Sequence, residues 1–255
     1  MKSIFITGAA TGIGRQIARR FHSQGWFVGL FDIDKAGVDT LAKELGDNTF
    51  CGELDVTDVE TWNRQLEAFY KDSGQRLDVL VNNAGILFSG FFDSIPIEHH
   101  QAIMNVNVGG VMNGCYSALP WLRKTKNSCV VNIASASAIY GSPSLASYSA
   151  SKFAVRGLTE ALNLEWESYD IRVLDIWPLF VKTNMVEGMD ASSIKKMGVN
   201  LTSDDVAKTV EKAVTAGADN RKIHWPVGFM ESIFKLSVDL LPAGLCRLFV
   251  KKTSM

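Results

Sequence analysis

Hydrophobic positions along the chain follow two alternating rhythms. Short apolar runs such as "SIFITG" and "FVGLFDI" are each followed by a longer segment with apolar residues at helical spacing. Ile17, Ala18 and Phe21 in "GRQIARRFHSQG" are one example, and "AGVDTLAKEL" is the next. A run of strand length followed by a helical period predicts a β–α unit. The alternation continues with "TFCGELDV" and "DVETWNRQLEAFYKDSG", then "LDVLVNNAG" and one long helical region, "EHHQAIMNVNVGGVMNGCYSALPWL". "SCVVNIAS" precedes "YSASKFAVRGLTEALNLEWES", and "IRVLDIWP" precedes "SDDVAKTVEKAVTAG", a helix opened by a Ser/Asp cap. "KIHWPV" closes the series as a last strand. Strands this apolar are covered on both faces, so the predicted fold class is α/β, a doubly wound parallel sheet with helices on both sides.

The rhythm runs through all 255 residues without a linker, a repeat or a composition shift, which predicts one domain over 1–255. The least regular region, 184–201, is expected to form a substrate loop beside the carboxyl ends of the strands. From about 228 to 255 the chain is an apolar extension interrupted by Lys235, Asp239 and Pro242, and the proline is expected to split any helix there. That extension is expected to pack on its own domain or on another subunit. The alternative is a substrate cover, or peripheral contact with a membrane surface.

Composition narrows the function. A net charge of −1 offers no electrostatic footprint for nucleic acid. Cys51, Cys115, Cys129 and Cys246 are scattered, without zinc spacing or disulfide density, so reduced thiols in a cytoplasmic protein are expected. No metal site is expected. His99 and His100 are adjacent, diverge on a helix, and read as solvated. The N-terminus enters glycines too soon for a signal peptide, and no apolar run reaches membrane-spanning length.

The chemistry begins at "TGAATGIG", Thr7 to Gly14, directly after the first strand. Gly8, Gly12 and Gly14 permit a tight turn that leads a helix N-terminus towards a phosphate. A tight turn without a ligand, or a methyltransferase or flavoprotein loop, fits the same residues. Asp32 ends the second strand 18 residues after Gly14, where a carboxylate binds ribose hydroxyls and repels a 2′-phosphate. NAD is favoured over NADP, although Arg15 pulls the other way. Asp55, ending the third strand, is placed to reach an adenine amine or to cap a helix. Val56 can meet the ring through its backbone. Tyr148 and Lys152, in "YSASK", lie four apart and share a helical face. An ammonium there favours the phenolate and suits the pair to proton transfer.

"TGAATGIG", "NNAG" (Asn82 to Gly85), Ser135, Tyr148, Lys152 and Asn107 stand in the order and spacing of the short-chain dehydrogenase/reductase family. The sequence resembles that family over nearly its whole length. The resemblance implies a single Rossmann-type domain with strand order 3-2-1-4-5-6-7 and a nicotinamide-dependent oxidoreductase. It also implies a homotetramer or homodimer packed through the fourth and fifth helices. Tyr148 is then the acid/base, Lys152 lowers its pKa and binds the nicotinamide ribose, and Ser135 holds the substrate oxygen. Asn107 supports a proton path, Asn83 fixes the sheet and the cofactor pocket, and Thr183 reaches the nicotinamide carboxamide. Thr11, Ile13, Ala84, Gly85, Pro178 and Val181 complete the implied NAD(H) site.

Two residues depart from the family pattern or complicate it. Leu179 follows Pro178 where the family often has glycine. Ser137 is a second serine expected to point the same way as Ser135 from a strand end. Leu87, Ile139, Tyr140, Leu179 and the 184–201 loop are expected to wall an apolar pocket for a secondary alcohol or ketone. An NADP-linked carbonyl reductase and a non-catalytic NAD(H)-binding regulator are the alternatives.

Overall fold

The computed structural model describes residues 1–183, 201–217, 220–228 and the isolated positions 244, 245, 247 and 251. The expected substrate loop and the apolar C-terminal extension, with its proline break, lie almost wholly outside the described residues.

The strands are β1 (Ser3–Thr7), β2 (Phe27–Asp32), β3 (Thr49–Glu53), β4 (Val79–Asn82), β5 (Ser128–Ile133), β6 (Ile171–Trp177) and β7 (His224–Pro226). They form one parallel sheet in the order β3-β2-β1-β4-β5-β6-β7. The helices between them are α1 (Gly12–His22), α2 (Lys35–Leu45), α3 (Val59–Asp72), α4 (Ile97–Met104), α5 (Gly110–Leu122), α6 (Ala146–Glu165) and α7 (Ser203–Thr215). Strand alternation divides the core in two. Ile4 and Ile6 pack with Ile17, Ala18 and Phe21 of α1, while Phe5 faces Trp62 and Phe69 of α3 from the other side. Phe5 stacks on Phe31 with ring centroids 3.7 Å apart. Fully burying such a side chain contributes about 1.5–3 kcal/mol, so β1 anchors both layers.

Several boundaries differ from the sequence expectation. Asp55 and Ser135 each stand two residues beyond the end of their strand, because the chain leaves the ladder to reach the site. The long helical region after β4 is interrupted: a π-helical turn at Asn105–Gly109 joins α4 to α5. Such turns frequently mark functional positions, and Asn107 lies within this one. The cap of α7 is Thr202, outside the quoted segment. Its side chain accepts from the Asp205 N–H, and the Asp205 carboxylate accepts from the Thr202 N–H.

The edge strand β7 is held by a polar cluster around the buried Asp175. His224 Nδ1 lies 2.8 Å from Asp175 Oδ1 and its Nε2 lies 3.0 Å from Glu160 Oε1, which also accepts from Arg156 Nε at 2.8 Å. Burial raises the Asp175 pKa, against the opposing pull of His224. A carboxyl whose folded pKa is raised stabilises the fold below its unfolded pKa, and that contribution is lost as pH rises through the folded value. Asp175→Asn is therefore expected to flatten the acidic side of the stability profile above about pH 4. Denaturant titration at several pH values checks this, and an unchanged slope counts against it.

Candidate active site

At the carboxyl ends of β1, β2, β4, β5 and β6 lies a cavity of about 580 Å³. Its floor is the glycine turn. Gly8 and Gly12 have φ of +65° and +54°, conformations side chains rarely adopt. A Cβ on Gly14 would lie 2.1 Å from the Gly8 carbonyl oxygen, so Gly14 permits the turn to close while standing outside the cavity wall. Asn83 clamps the turn from β4: its Nδ2 donates to the carbonyl oxygens of Thr7 and Gly8 at 2.9 and 3.0 Å. Thr7 Oγ1 accepts from the backbone N–H groups of Asn83 and Ala84. No side chain caps α1 at Thr11. Its first N–H groups, on Gly12 and Ile13, have no partner among the described residues and suit an anion. Thr183 approaches Gly12 from above.

One end of the cavity is acidic. Asp32 accepts from the Ala10 N–H at 3.0 Å and the Asp34 N–H at 3.1 Å, so its carboxylate is oriented before any ligand arrives. Asp55 accepts from Thr57 through N–H and hydroxyl, and Asp58 caps α3. The helix-cap reading of Asp55 is thereby set aside. The Val56 carbonyl accepts from Trp62 Nε1 and Asn113 Nδ2, which fixes its backbone at the wall. Arg15 turns away to Glu44, which also binds Arg19. Among the described lining residues the single cation is Lys152.

At the other end, Ser135, Tyr148 and Lys152 converge. Ser135 Oγ accepts from the Ser137 N–H at 3.1 Å, lies 3.4 Å from the Pro178 carbonyl, and hydrogen-bonds Tyr148. Lys152 Nζ donates to the Ile133 carbonyl at 2.8 Å and lies 5.5 Å from the centre of the Tyr148 ring. Burial pushes the Tyr148 phenol up to about 12, opposed by the bond from Ser135, and brings the Lys152 ammonium down to about 8. The expected lowering of the Tyr148 pKa by Lys152 is not found in the protein alone, where burial dominates and Ser135 supplies the opposing pull.

A profile of short chain dehydrogenases matches residues 2–193. The chain belongs to the short-chain dehydrogenase family. It is 37% identical over 189 residues to a 3-oxoacyl-(acyl-carrier-protein) reductase of Thermotoga maritima, covering 73% of this chain and 76% of the relative. Against the meso-2,3-butanediol dehydrogenase of Serratia marcescens it is 37% identical over 188 residues, with 73% and 74% covered. A crystal structure of 3-ketoacyl-(acyl-carrier-protein) reductase from Brucella melitensis, complexed with NADH, superposes with a TM-score of 0.82 at 30% identity. That superposition covers 89% of this chain and 96% of the other.

Within this short-chain dehydrogenase, most residues singled out in the sequence come together. Gly8, Thr11, Gly12, Ile13, Asp32, Asp55, Val56, Asn83, Ala84 and Gly85 line the cavity. So do Ser135, Tyr148, Lys152, Pro178, Val181 and Thr183. Asn107 does not: it is buried behind the wall, where it accepts from the Ile86 N–H and donates to the Ile86 carbonyl and Ser151 Oγ. Ser137 also lines the cavity, but not by pointing the same way as Ser135 from a strand end. It sits in a 3₁₀ turn, and its N–H orients the Ser135 hydroxyl. Ile139 is buried in the core rather than on the wall, and Tyr140 is not among the lining residues. Leu179 packs on that core and lines the cavity, and it is not among the left-handed residues.

The sequence reading missed Ala102, Asn105, Val106, Leu145 and Phe180 on the wall. It also misread His100, which is 7% exposed and hydrogen-bonded instead of solvated.

Proposed function

We propose that this protein interconverts a secondary alcohol on a hydrophobic body and its ketone, with NAD(H) as the hydride carrier. The observation that carries this reading is the shared wall. Ser135, Tyr148 and Lys152 stand at one end of a cavity whose other end offers an uncapped helix N-terminus and two carboxylates. When bound, the dinucleotide supplies the hydride acceptor or donor and, in its oxidised form, a positive charge beside the phenol. The uncapped turn and the space kept open by Gly8 and Gly12 fit its pyrophosphate, Asp32 its ribose hydroxyls, and Lys152 the second ribose.

Tyr148 takes the hydroxyl proton in oxidation and returns it in reduction. Ser135 donates to the same substrate oxygen and holds it beside the phenol. Lys152 supplies the charge that favours phenolate once the site is filled. Leu87, Leu145, Leu179 and Phe180 offer an apolar surface and no charge, which suits a lipophilic substrate. The exposed residues Met112 and Tyr116 of α5 and Phe153 and Leu164 of α6 supply an apolar face for a homo-oligomer.

NAD(H) is expected to bind more tightly than NADP(H), because a 2′-phosphate meets Asp32 at an end of the cavity with no cation among its described lining residues. Fluorescence titration of both cofactors at one ionic strength tests it. Equal or tighter NADP(H) binding overturns the cofactor assignment. A panel of secondary alcohols with NAD⁺ tests the reaction class.

A further inference from the structure

We propose that His100 is a positioning residue that latches one wall of the cleft to the helix carrying Tyr148. The inference rests on the reading of this cleft as the substrate site. His100 lies on α4, two residues before Ala102, which lines the cavity with Asn105 and Val106. Its Nδ1 is 2.6 Å from Ser147 Oγ, and its Nε2 is 3.0 Å from the Phe92 carbonyl oxygen. Its ring stacks on Phe92 with centroids 4.4 Å apart.

A carbonyl only accepts, so Nε2 carries a proton and donates to Phe92, while Nδ1 pairs with the Ser147 hydroxyl. The geometry therefore places a proton on Nε2 and uses both nitrogens. Ser147 precedes Tyr148 in the first turn of α6. The contact joins the two sides of the cleft, with α4 and the segment after β4 on one side and the first turn of α6 on the other.

The segment from Ile86 to Pro96 is anchored by hydrogen bonds at Ile86, Gly90 and Phe92, and Phe88 stacks on His99 of α4 with ring centroids 4.0 Å apart. Asn107 holds its base at Ile86, the Gly90 N–H donates to the Ser144 carbonyl at 2.9 Å, and His100 holds Phe92. Between these anchors it is open: Phe91 and Phe92 are 62% and 60% exposed. Two of these hydrogen-bonded anchors run to the loop and turn that lead into Tyr148. The bonds that align the catalytic group, from Ser135 to Tyr148 and from Lys152 to Ile133, do not pass through His100. His100 thus sets the width of the cleft without touching the proton-transfer machinery.

Amide hydrogen exchange on the full-length protein tests the latch without requiring turnover. His100→Phe keeps the ring stack and removes both hydrogen bonds. Exchange in 86–96 and in the first turn of α6 is expected to rise about tenfold, the effect of one lost hydrogen bond of roughly 1.4 kcal/mol. Exchange in β1, β4 and β5 stays unchanged. Ser147→Ala raises exchange in the α6 turn, and adding it to His100→Phe raises it no further, since either substitution removes the same Ser147–His100 bond. His100→Asn, which restores a hydrogen-bond partner near Nδ1, recovers the α6 turn and leaves the 86–96 segment loose. His100→Gln, which reaches towards the Phe92 carbonyl, does the reverse.

Kinetics on the panel alcohol that the unaltered protein oxidises fastest then show a KM raised several-fold with kcat held. Unchanged exchange in His100→Phe overturns the proposal, as does a uniform rise across the sheet or independent effects of the two substitutions. A kcat that falls with KM unchanged overturns it too. Should Tyr148 prove dispensable for turnover, the exchange result still stands and only the assignment of the chemistry fails.

Discussion

Tyr148→Phe is expected to abolish most turnover while leaving NAD(H) affinity nearly intact. The substitution keeps the ring, its burial and its packing beneath Lys152, and removes a single oxygen. That oxygen is hydrogen-bonded to Ser135 and faces the cavity. General acid–base catalysis contributes about 10²–10⁴-fold, so the loss in kcat is expected in that range. The phenol is pushed up to about 12 by burial. At pH 7 this leaves on the order of one ring in 10⁵ as phenolate in the protein alone. Oxidation, which needs the phenolate, is therefore expected to accelerate as pH rises, and reduction, which needs the phenol, to slow. Steady-state rates in both directions across pH, for the wild type and the variant, check this. Near-normal activity of Tyr148→Phe on a genuine substrate would falsify the acid/base assignment.

The sheet was legible because β1, β4, β5 and β6 are buried on both faces. Such strands read as near-continuous apolar runs, and the helices between them carry one apolar stripe. The strand order was not in that pattern. It came from the family resemblance, and so did the roles of Ser135 and Asn107. Local chemistry explains the glycine turn, since Gly8 and Gly14 are demanded by backbone geometry that any reader of strand–glycine–helix can anticipate. Contacts between distant segments were illegible. His100 reads as a surface residue on its own helix, and it is covered by Phe92, which stacks on its ring, and by Ser147, 47 positions later. Arg15 is a similar case. Near a phosphate site it suggests NADP, but Glu44 of α2 holds it 3.2 Å away on another errand. The balance of burial and charge at Tyr148 was also out of reach, because desolvation depends on everything packed around the ring.

Lys152→Met is expected to stabilise the cofactor-free protein at neutral pH while removing activity and weakening NAD(H) binding. Lys152 is buried and its ammonium is brought down from 10.5 to about 8 by desolvation alone. At pH 7 the lysine is still charged, so the folded state carries a buried cation whose cost, from that shift, is on the order of 3 kcal/mol. The sign follows from proton counting. Between about pH 8 and 10.5 the unfolded chain binds more protons at this lysine than the folded one, so stability rises with pH through that window. Methionine fills similar volume, carries no charge and leaves the Ile133 carbonyl without its donor, which returns about 1–3 kcal/mol of the gain. The expected net result is a melting temperature a few degrees higher at pH 7, at about 2–4 °C per kcal/mol. The difference should shrink as pH approaches 10. Calorimetry on cofactor-free protein at both pH values measures it. A lower melting temperature at pH 7 would show that the lysine serves the fold as well as the chemistry. A retained NAD(H) affinity would remove its second role at the ribose.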